Sequence, residues 1–431
     1  MTSTSATDVL AIDGGTPVRT AFPPMGKGVS LFGEEEKAAV LEVVESRSLF
    51  RYYGPNLLRK VEAFEEASKS LLGAEHAVAT SSGTAALRAA LAALGVGCGD
   101  EVIVPSLTFI ASVNAIVVSG ALPVFAEIDD TLGLDPSDFE AKITDRTVAV
   151  MPVHLDNGAC DMDPIMEIAR RRGIKVIEDT AQSMGTTYKG RALGTIGDLG
   201  AFSLQLEKNV TSGEGGLVTS QDEHLYLRAA RYQDQGGQFV TSTGSTRAEE
   251  SSVGPIEPFV GENLRMTEIA GAIAEVQVRR LPGLLEGQRA NQRRVLAAIA
   301  DVEGIAHRRL PDAEGDGGSS VNLFLPTASA ARRFVKALRA ERIPAGQLYN
   351  GQPVYLTPSI VEKRTASNKG GPWHCAEHPA DVEYGPGLCP RSEDLASRAV
   401  IVPIGAGYSE ADCDDVATGI AKVAAAVVER P

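Results

Sequence analysis

The stretch "DEVIVPS", Asp100 to Ser106, is one of four short apolar runs that decide the fold. The others are "LPVFAEID" from Leu122, "TVAVMPVHL" from Thr147 and "IKVIEDT" from Ile174. Short runs of this kind are typical of buried strands. They alternate with segments whose apolar residues have helical spacing, such as "KVEAFEEASKSLLG" and "GTAALRAALAAL". The alternation predicts an α/β fold with a mostly parallel sheet between helices.

Ligands of such a sheet gather at the carboxyl ends of its strands. The polar and aromatic residues directly after the apolar runs are therefore candidate site residues. They are Thr108, Phe109, His154, Asp179 and Gln182.

The chain is predicted to form two domains. Residues 1–265 hold an N-terminal segment and a large domain, and residues 266–431 hold a linking helix and a smaller C-terminal α/β domain. The helical stretch from Met266 contains Pro282, which predicts a break or kink. Residues 236–258 are rich in Gly, Ser and Pro and predict a long loop that covers a site.

The charge balance limits the partners of the protein. There are 41 Lys and Arg residues against 56 Asp and Glu residues, which gives a net charge of -15. This balance disfavours a nucleic-acid or anionic-membrane surface, so an anionic ligand must be held by a local site. The N-terminus lacks the pattern of a signal peptide, and no apolar run reaches the ~18 residues of a spanning helix. We therefore expect a soluble cytoplasmic protein.

The five cysteines are odd in number, widely scattered and without a CxxC pair. This pattern predicts reduced thiols rather than a disulfide framework or a zinc site. The segment "HCAEH", within residues 350–393, has no matching second half of a metal site. We interpret residues 350–393 as a loop that approaches the substrate.

Two motifs have both a structural and a functional interpretation. "SSGTAAL" follows the apolar "HAVAT" and opens a helix, so the N–H groups around Gly83 and Thr84 either bind a phosphate or form an ordinary helix N-terminus. Asp179 ends an apolar strand. It either caps a helix beginning near Ala181 or pairs with a protonated ring nitrogen.

Lys208 lies in "FSLQLEKNVTSGEGG", Phe202 to Gly216. Taken alone, this lysine is a solvated cation, a phosphate ligand or a nucleophilic amine. Its neighbours favour the last interpretation. A Schiff-base lysine, an acid and a phosphate-binding turn are together the requirements of a pyridoxal phosphate (PLP) site.

The motifs also carry a family resemblance. "SSGTAAL", "DEVIVPSLTFIAS", "VIEDTAQSMGTTYKG", "GDLGAFSLQLEK", "TSGEGG" and "ENLRMTEIAGAIAEVQVRRL" resemble, in order and spacing, the DegT/DnrJ/EryC1/StrS aminotransferases. The resemblance runs from about Ile12 to Val427. It implies the fold of aspartate aminotransferase (fold type I), with a seven-stranded sheet in a large PLP-binding domain.

The resemblance also implies roles for individual residues. Lys208 would form the Schiff base and move the substrate proton, and Asp179 would pair with the pyridine nitrogen. The remaining cofactor-binding residues would be Gly83, Thr84, Phe109, Gln182, Ser203 and Asn263. Asn263 would reach the phosphate of the other subunit in a homodimer with shared active sites.

The activity implied is transfer of an amino group from L-glutamate or L-glutamine to a keto-cyclitol or keto-sugar, with pyridoxamine 5'-phosphate formed in the cycle. The opening "LAIDGGTPVR" and the length favour a cyclitol and antibiotic or other secondary metabolism. The alternatives are a PLP-dependent or pyridoxamine-dependent sugar dehydratase and a non-catalytic regulator that retains the fold.

Three departures from the family pattern bear on the substrate. They are Leu204 in "FSLQ", Leu264 in "NLRM", and the pair Asp156 and Asn157 in "VHLDNG". All of these positions are candidates for the lining of the substrate pocket.

Overall fold

The computed structural model describes residues 9–24, 26–237, 253, 256–366, 371–378 and 382–428. Within these residues, strands β1 to β9 lie before residue 221, and β10 to β12 follow. Their bounds are His76–Thr80, Glu101–Pro105, Leu122–Ala126, Thr147–Val150, Lys175–Asp179, Thr187–Tyr188, Arg191–Ala192, Leu199–Ser203, Gly216–Ser220, Ala306–His307, Ser320–Phe324 and Ala399–Pro403.

Seven of these strands form the main sheet, in the order β1-β9-β8-β5-β4-β2-β3. Strands β8, β5, β4, β2 and β3 pair in parallel, whereas β9 runs antiparallel to both of its neighbours. The sheet is therefore mostly parallel, as the alternating sequence pattern predicts.

The helices described by the structure are numbered α1 to α12. Their bounds are Glu34–Ser46, Lys60–Leu72, Gly83–Leu94, Ile110–Val118, Pro136–Ala141, Met162–Arg172, Glu223–Tyr232, Glu268–Ala298, Ala328–Ala340, Pro358–Val361, Pro390–Arg398 and Glu410–Val427.

Helices cover both faces of the main sheet. Along β2, Val102 and Val104 belong to the apolar cluster that contains the buried residues of α3 and α4. Ile103, between them, belongs to a second cluster with residues of α6. Successive side chains of a strand point to opposite faces, so a strand buried on both sides reads as a continuous apolar run. This explains why "VIV" carries no alternating polar residue.

A smaller three-stranded sheet, β10-β11-β12, follows the main one along the chain. It packs with α9 and α12 around a separate apolar cluster that includes Leu323, Phe334 and Val416. Helix α8 contacts elements of both parts, including α1, α2, α12 and β11.

Helix α8 corrects one expectation. It runs without interruption from Glu268 to Ala298 and contains Pro282, with helical backbone on both sides. The sequence predicted a break or kink there. The break does not occur, and the kink stays a prediction. The proline removes one intrahelical hydrogen bond, and the buried face of α8, with Val278, Leu281, Leu284 and Leu285, holds the helix together through tertiary packing.

The cysteines correct a second expectation. Cys98 and Cys375 form a disulfide between positions 277 residues apart, whereas Cys160, Cys389 and Cys413 are buried free thiols. The sequence predicted reduced thiols throughout, because spacing along the chain does not show which distant cysteines meet. The predicted loop at residues 236–258 lies mostly outside the described residues.

No helix in the described ranges combines the length and apolar character needed to cross a bilayer.

Candidate active site

Lys208 lies beyond the carboxyl end of β8, next to a cavity of about 90 Å³. The backbone carbonyl of Lys208 accepts the N–H of Gly28 at 3.2 Å, so the N-terminal segment closes one side of the site. The cavity is lined by Lys27, Asp156, Asn157, Ala181, Gln182, Met184, Ser203, Glu207, Lys208, Asn209 and Ser319.

The environment of Lys208 lowers the pKa of its amine. Burial is the main cause, and the positive charge of Lys27 adds to it, while Asp179 acts in the opposite direction. A larger fraction of the amine is therefore unprotonated at neutral pH than in an exposed lysine. This favours the nucleophilic interpretation of Lys208 over that of a solvated cation.

Asp179 is the last residue of β5 and is 4% exposed. Its Oδ2 accepts the hydroxyl of Ser112 at 2.7 Å, and its Oδ1 accepts the N–H of Ala181 at 3.1 Å. No helix begins at Ala181, where the chain makes a turn, so Asp179 is not a helix cap. Burial raises the pKa of this carboxyl, and these two hydrogen bonds and the charge of Lys208 act against that rise.

The orientation of Asp179 is fixed by a short chain of hydroxyl groups. The Oγ1 of Thr108 and the Oγ of Ser112 lie 2.8 Å apart, and both residues are fully buried. Thr108 follows β2 and Ser112 lies in the first turn of α4, so two neighbouring elements position one carboxylate. The sequence analysis did not identify Ser112. Its position four residues after Thr108, at the start of a helix, could have indicated that the two hydroxyl groups lie close together.

The motif "SSGTAAL" lies against the end of β8. Ser82 caps α3 by accepting the N–H of Ala85 at 3.1 Å. A Cβ added at Gly83 would lie 2.6 Å from the Cβ of Ser203, so only glycine permits this approach. The side chain of Thr84 is exposed. The N-terminus of α3 and Ser203 therefore lie close together, and donors in this arrangement suit a phosphate.

Phe109 and Gln182 meet through a tyrosine that sequence reasoning missed. Gln182 donates from Nε2 to the hydroxyl of Tyr349 at 2.8 Å. The ring centroids of Tyr349 and Phe109 are 6.4 Å apart. Phe109 is 56% exposed, which is unusual for a residue that caps a buried helix, and leaves its ring open to a flat ligand. Tyr349 was not predicted as a site residue because its segment shows neither strand nor helix periodicity.

The structure places the remaining sequence candidates as follows. Gln182, Ser203 and Lys208 line one cavity, whereas Asn263 is exposed and does not line it. His154 is a core residue: its Nε2 lies 3.1 Å from Glu178, and its Nδ1 accepts the N–H of Cys160.

The departures from the family pattern separate into two groups. Asp156 and Asn157 line the cavity, and both have left-handed backbone conformations. Asp156 accepts hydrogen bonds from Ser320 and from Asn322 of β11. Leu204 and Leu264, by contrast, do not line the cavity, and Leu204 is fully buried in an apolar cluster.

The residues of the "HCAEH" segment do not form a metal site. Cys375 is used in the disulfide, and Nε2 of His378 accepts the N–H of Gly99 at 3.2 Å. Within the described residues, no cluster of His, Cys, Asp and Glu is arranged to bind a metal ion.

Comparison with known proteins shows what this arrangement is similar to. The sequence model of the DegT/DnrJ/EryC1/StrS aminotransferase family matches residues 31–371. The chain belongs to this family. Its members are PLP-dependent, so the protein is a PLP-dependent aminotransferase.

The names of individual relatives indicate different substrates. The chain is 44% identical over 224 residues to a GDP-perosamine synthase of Caulobacter vibrioides, covering 52% of this chain and 57% of that protein. It therefore spans little more than half of that relative's length. It is 38% identical over 299 residues to a putative L-glutamine:3-amino-2,3-dideoxy-scyllo-inosose aminotransferase of Streptoalloteichus tenebrarius, covering 69% and 68%.

The fold agrees with solved aminotransferase structures. The structure of DesV from S. venezuelae superimposes with a TM-score of 0.77 and 28% identity, covering 94% of this chain and 99% of that one. The predicted α/β fold with a seven-stranded, mostly parallel sheet is thereby confirmed.

The residues present fit the PLP cofactor. A buried acid, a lysine of lowered pKa, an exposed aromatic ring and a helix N-terminus pressed against Ser203 lie around the carboxyl ends of neighbouring strands. When bound, PLP supplies an electron-withdrawing ring that stabilises negative charge on a substrate carbon.

Proposed function

We propose that the enzyme transfers an amino group from L-glutamate or L-glutamine to the keto group of a cyclitol or sugar. The observation that carries this proposal is Lys208, whose pKa is lowered by burial at a cavity near Asp179. Lys208 binds the cofactor and then takes and returns the proton of the reacting carbon. Asp179 keeps a positive charge on the ring nitrogen, and Ser112 holds Asp179 in place.

The polar character of the cavity supports a hydroxyl-rich acceptor. Its lining includes Asp156, Asn157, Gln182, Asn209 and Ser319, and a polar lining suits a polyhydroxylated ring better than an apolar ligand. We favour a keto-cyclitol over a nucleotide-linked sugar, and a place in antibiotic or other secondary metabolism. The inosose aminotransferase among the relatives supports this preference, whereas the GDP-perosamine synthase favours a nucleotide sugar.

A substrate panel tests this assignment. Mixing the enzyme with L-glutamate or L-glutamine alone is expected to convert the bound cofactor to its amine form, because the two half-reactions are separable. Keto-cyclitols and nucleotide-linked keto-sugars are then added one at a time, and recovery of the original absorbance is recorded. If nucleotide-linked sugars alone restore the absorbance, the cyclitol preference is wrong.

We further propose that the active sites are shared within a homodimer, as the family resemblance implies. Asn263 is exposed, although Leu264, beside it, is tied to the phosphate-binding motif by a 2.7 Å hydrogen bond from the N–H of Ser81 to its carbonyl. An exposed polar side chain that does not line its own cavity is available to a second subunit.

Mixed dimers test the sharing. We combine Lys208→Ala chains, which lack the nucleophile, with Asn263→Ala chains under conditions of subunit exchange. If Asn263 acts across the interface, each heterodimer contains one intact site, and activity reappears at up to about half the native value per dimer. If Asn263 serves its own chain, every site keeps a defect. Inactive heterodimers of verified composition would exclude the shared site.

Two further assignments stay predictions. They are the division into residues 1–265 and 266–431, and the cytoplasmic location.

A further inference from the structure

The N-terminal segment places a second lysine at the catalytic cavity. Lys27 precedes the short 3-10 helix Gly28–Leu31, and it lines the same cavity as Lys208. Sequence reasoning did not single it out, because it lies far from the recognised motifs.

The glycines on both sides of Lys27 pack closely against other segments and so fix its position. A Cβ at Gly28 would lie 2.5 Å from the carbonyl oxygen of Asn209, and a Cβ at Gly26 would lie 1.9 Å from Cα of Gly405. The carbonyl of Gly26 also accepts a hydrogen bond from Nε2 of Gln288 at 3.1 Å. The segment is thus held tightly on both sides of Lys27, and among residues 26–28 only Lys27 has a side chain to present to the cavity.

The charge of Lys27 has no ion-pair partner among the described residues. The side chain is half-buried, and its charge adds to the effect of burial in lowering the pKa of Lys208. Of the two carboxylates that line the cavity, Asp156 is engaged by Ser320 and Asn322, and Glu207 is exposed. A half-buried cation that is unpaired at a catalytic cavity favours an anionic ligand.

Resting on the proposed function, we infer that Lys27 binds the α-carboxylate of the amino-acid donor. The carbon that loses its proton to Lys208 carries this carboxylate directly, so the carboxylate must lie within a few bonds of the Lys208 amine. Lys208 itself is needed for the cofactor and the proton. Lys27 is the other cation that lines the cavity in the described structure. Since the whole chain carries a net charge of -15, an anionic donor requires such a local cation.

Donors with and without the α-carboxylate test this role. The first half-reaction is followed by cofactor absorbance, without acceptor, for two pairs of amines. They are L-glutamate with 4-aminobutyrate, and L-glutamine with 4-aminobutanamide, where each second member lacks only the α-carboxylate. For Lys27→Met we expect the preference for the amino acid, as a ratio of kcat/KM values, to fall about 10- to 100-fold, because a charged hydrogen bond is lost.

Further variants separate the possible roles. Lys27→Arg keeps the charge and is expected to retain more of the preference than Lys27→Met. Lys27→Gln is a second neutral variant in case the methionine variant does not fold. Lys37→Met removes an exposed lysine of the same N-terminal region, paired with Glu34, and is expected to leave the ratio unchanged.

Each other outcome has a distinct meaning. An unchanged ratio in both neutral variants overturns the inference. If both members of a pair are slowed equally, Lys27 acts only through its charge on Lys208, and if neither is slowed, Lys27 has no role in the half-reaction. If no amine alters the cofactor absorbance of the native enzyme, the proposed function has failed, and the inference fails with it.

Discussion

Replacing Lys208 by alanine is expected to abolish transamination, with a fall of several orders of magnitude. In the proposed mechanism Lys208 is both the nucleophile and the group that moves the substrate proton, so the variant loses both functions. Borohydride treatment followed by mass spectrometry provides a second measurement. The native chain is expected to gain the mass of the reduced cofactor on the peptide that contains Lys208, and the variant is expected to gain none.

The matched control is Lys175→Ala, at the opposite end of β5 from Asp179. Lys175 is exposed and pairs with Asp198 at 2.7 Å. Its replacement is expected to leave both labelling and turnover near native values. Native turnover in the Lys208 variant, or labelling of another lysine in the native chain, would contradict the assigned role.

Replacing Asp179 by asparagine is expected to slow the donor half-reaction about 10²- to 10³-fold while the cofactor still binds. Asparagine has the same shape, and its amide is able to bond both Ser112 and the N–H of Ala181. What it removes is the negative charge that stabilises a protonated ring nitrogen. Single-turnover absorbance measurements separate this slow step from cofactor loss, and a native rate would contradict the role.

Ser112→Ala is the companion variant for the positioning role of Ser112. The hydrogen bond from Ser112 lowers the pKa of Asp179, so its loss raises that pKa further. A carboxyl of higher pKa is protonated at higher pH. The acid limb of the pH–rate profile is therefore expected to move upward, with a smaller loss of rate at neutral pH than in Asp179→Asn. An unmoved acid limb would assign Ser112 a structural role alone.

The features that sequence predicted well are local or periodic. The apolar runs of β2 and β5 and the helical spacing of α2 and α3 are continuous in the chain, and the structure places those elements at the predicted residues. Asp179 was found because it ends such a run, and strand ends converge at one edge of a parallel sheet. Lys208 was singled out from its neighbours in the motif and from the family resemblance.

The features that sequence missed depend on contacts between distant segments. Tyr349 joins the site through Gln182, which lies 167 residues away in the chain, and Lys27 is placed by contacts of its flanking glycines with Asn209 and Gly405. Neither has a periodic pattern. The disulfide between Cys98 and Cys375 was missed for the same reason.

The uninterrupted course of α8 has a mechanical consequence. Its 31 residues make a rod of about 45 Å, at the usual rise per residue. One end is held by the start of α2, where Glu268 accepts the N–H groups of Lys60 and Val61. Further along, Gln292 donates to the carbonyl of Ser320, on the smaller sheet. A continuous helix held by contacts in both parts links the two sheets mechanically, so a rotation of one sheet against the other must bend α8 or be absorbed beyond its ends.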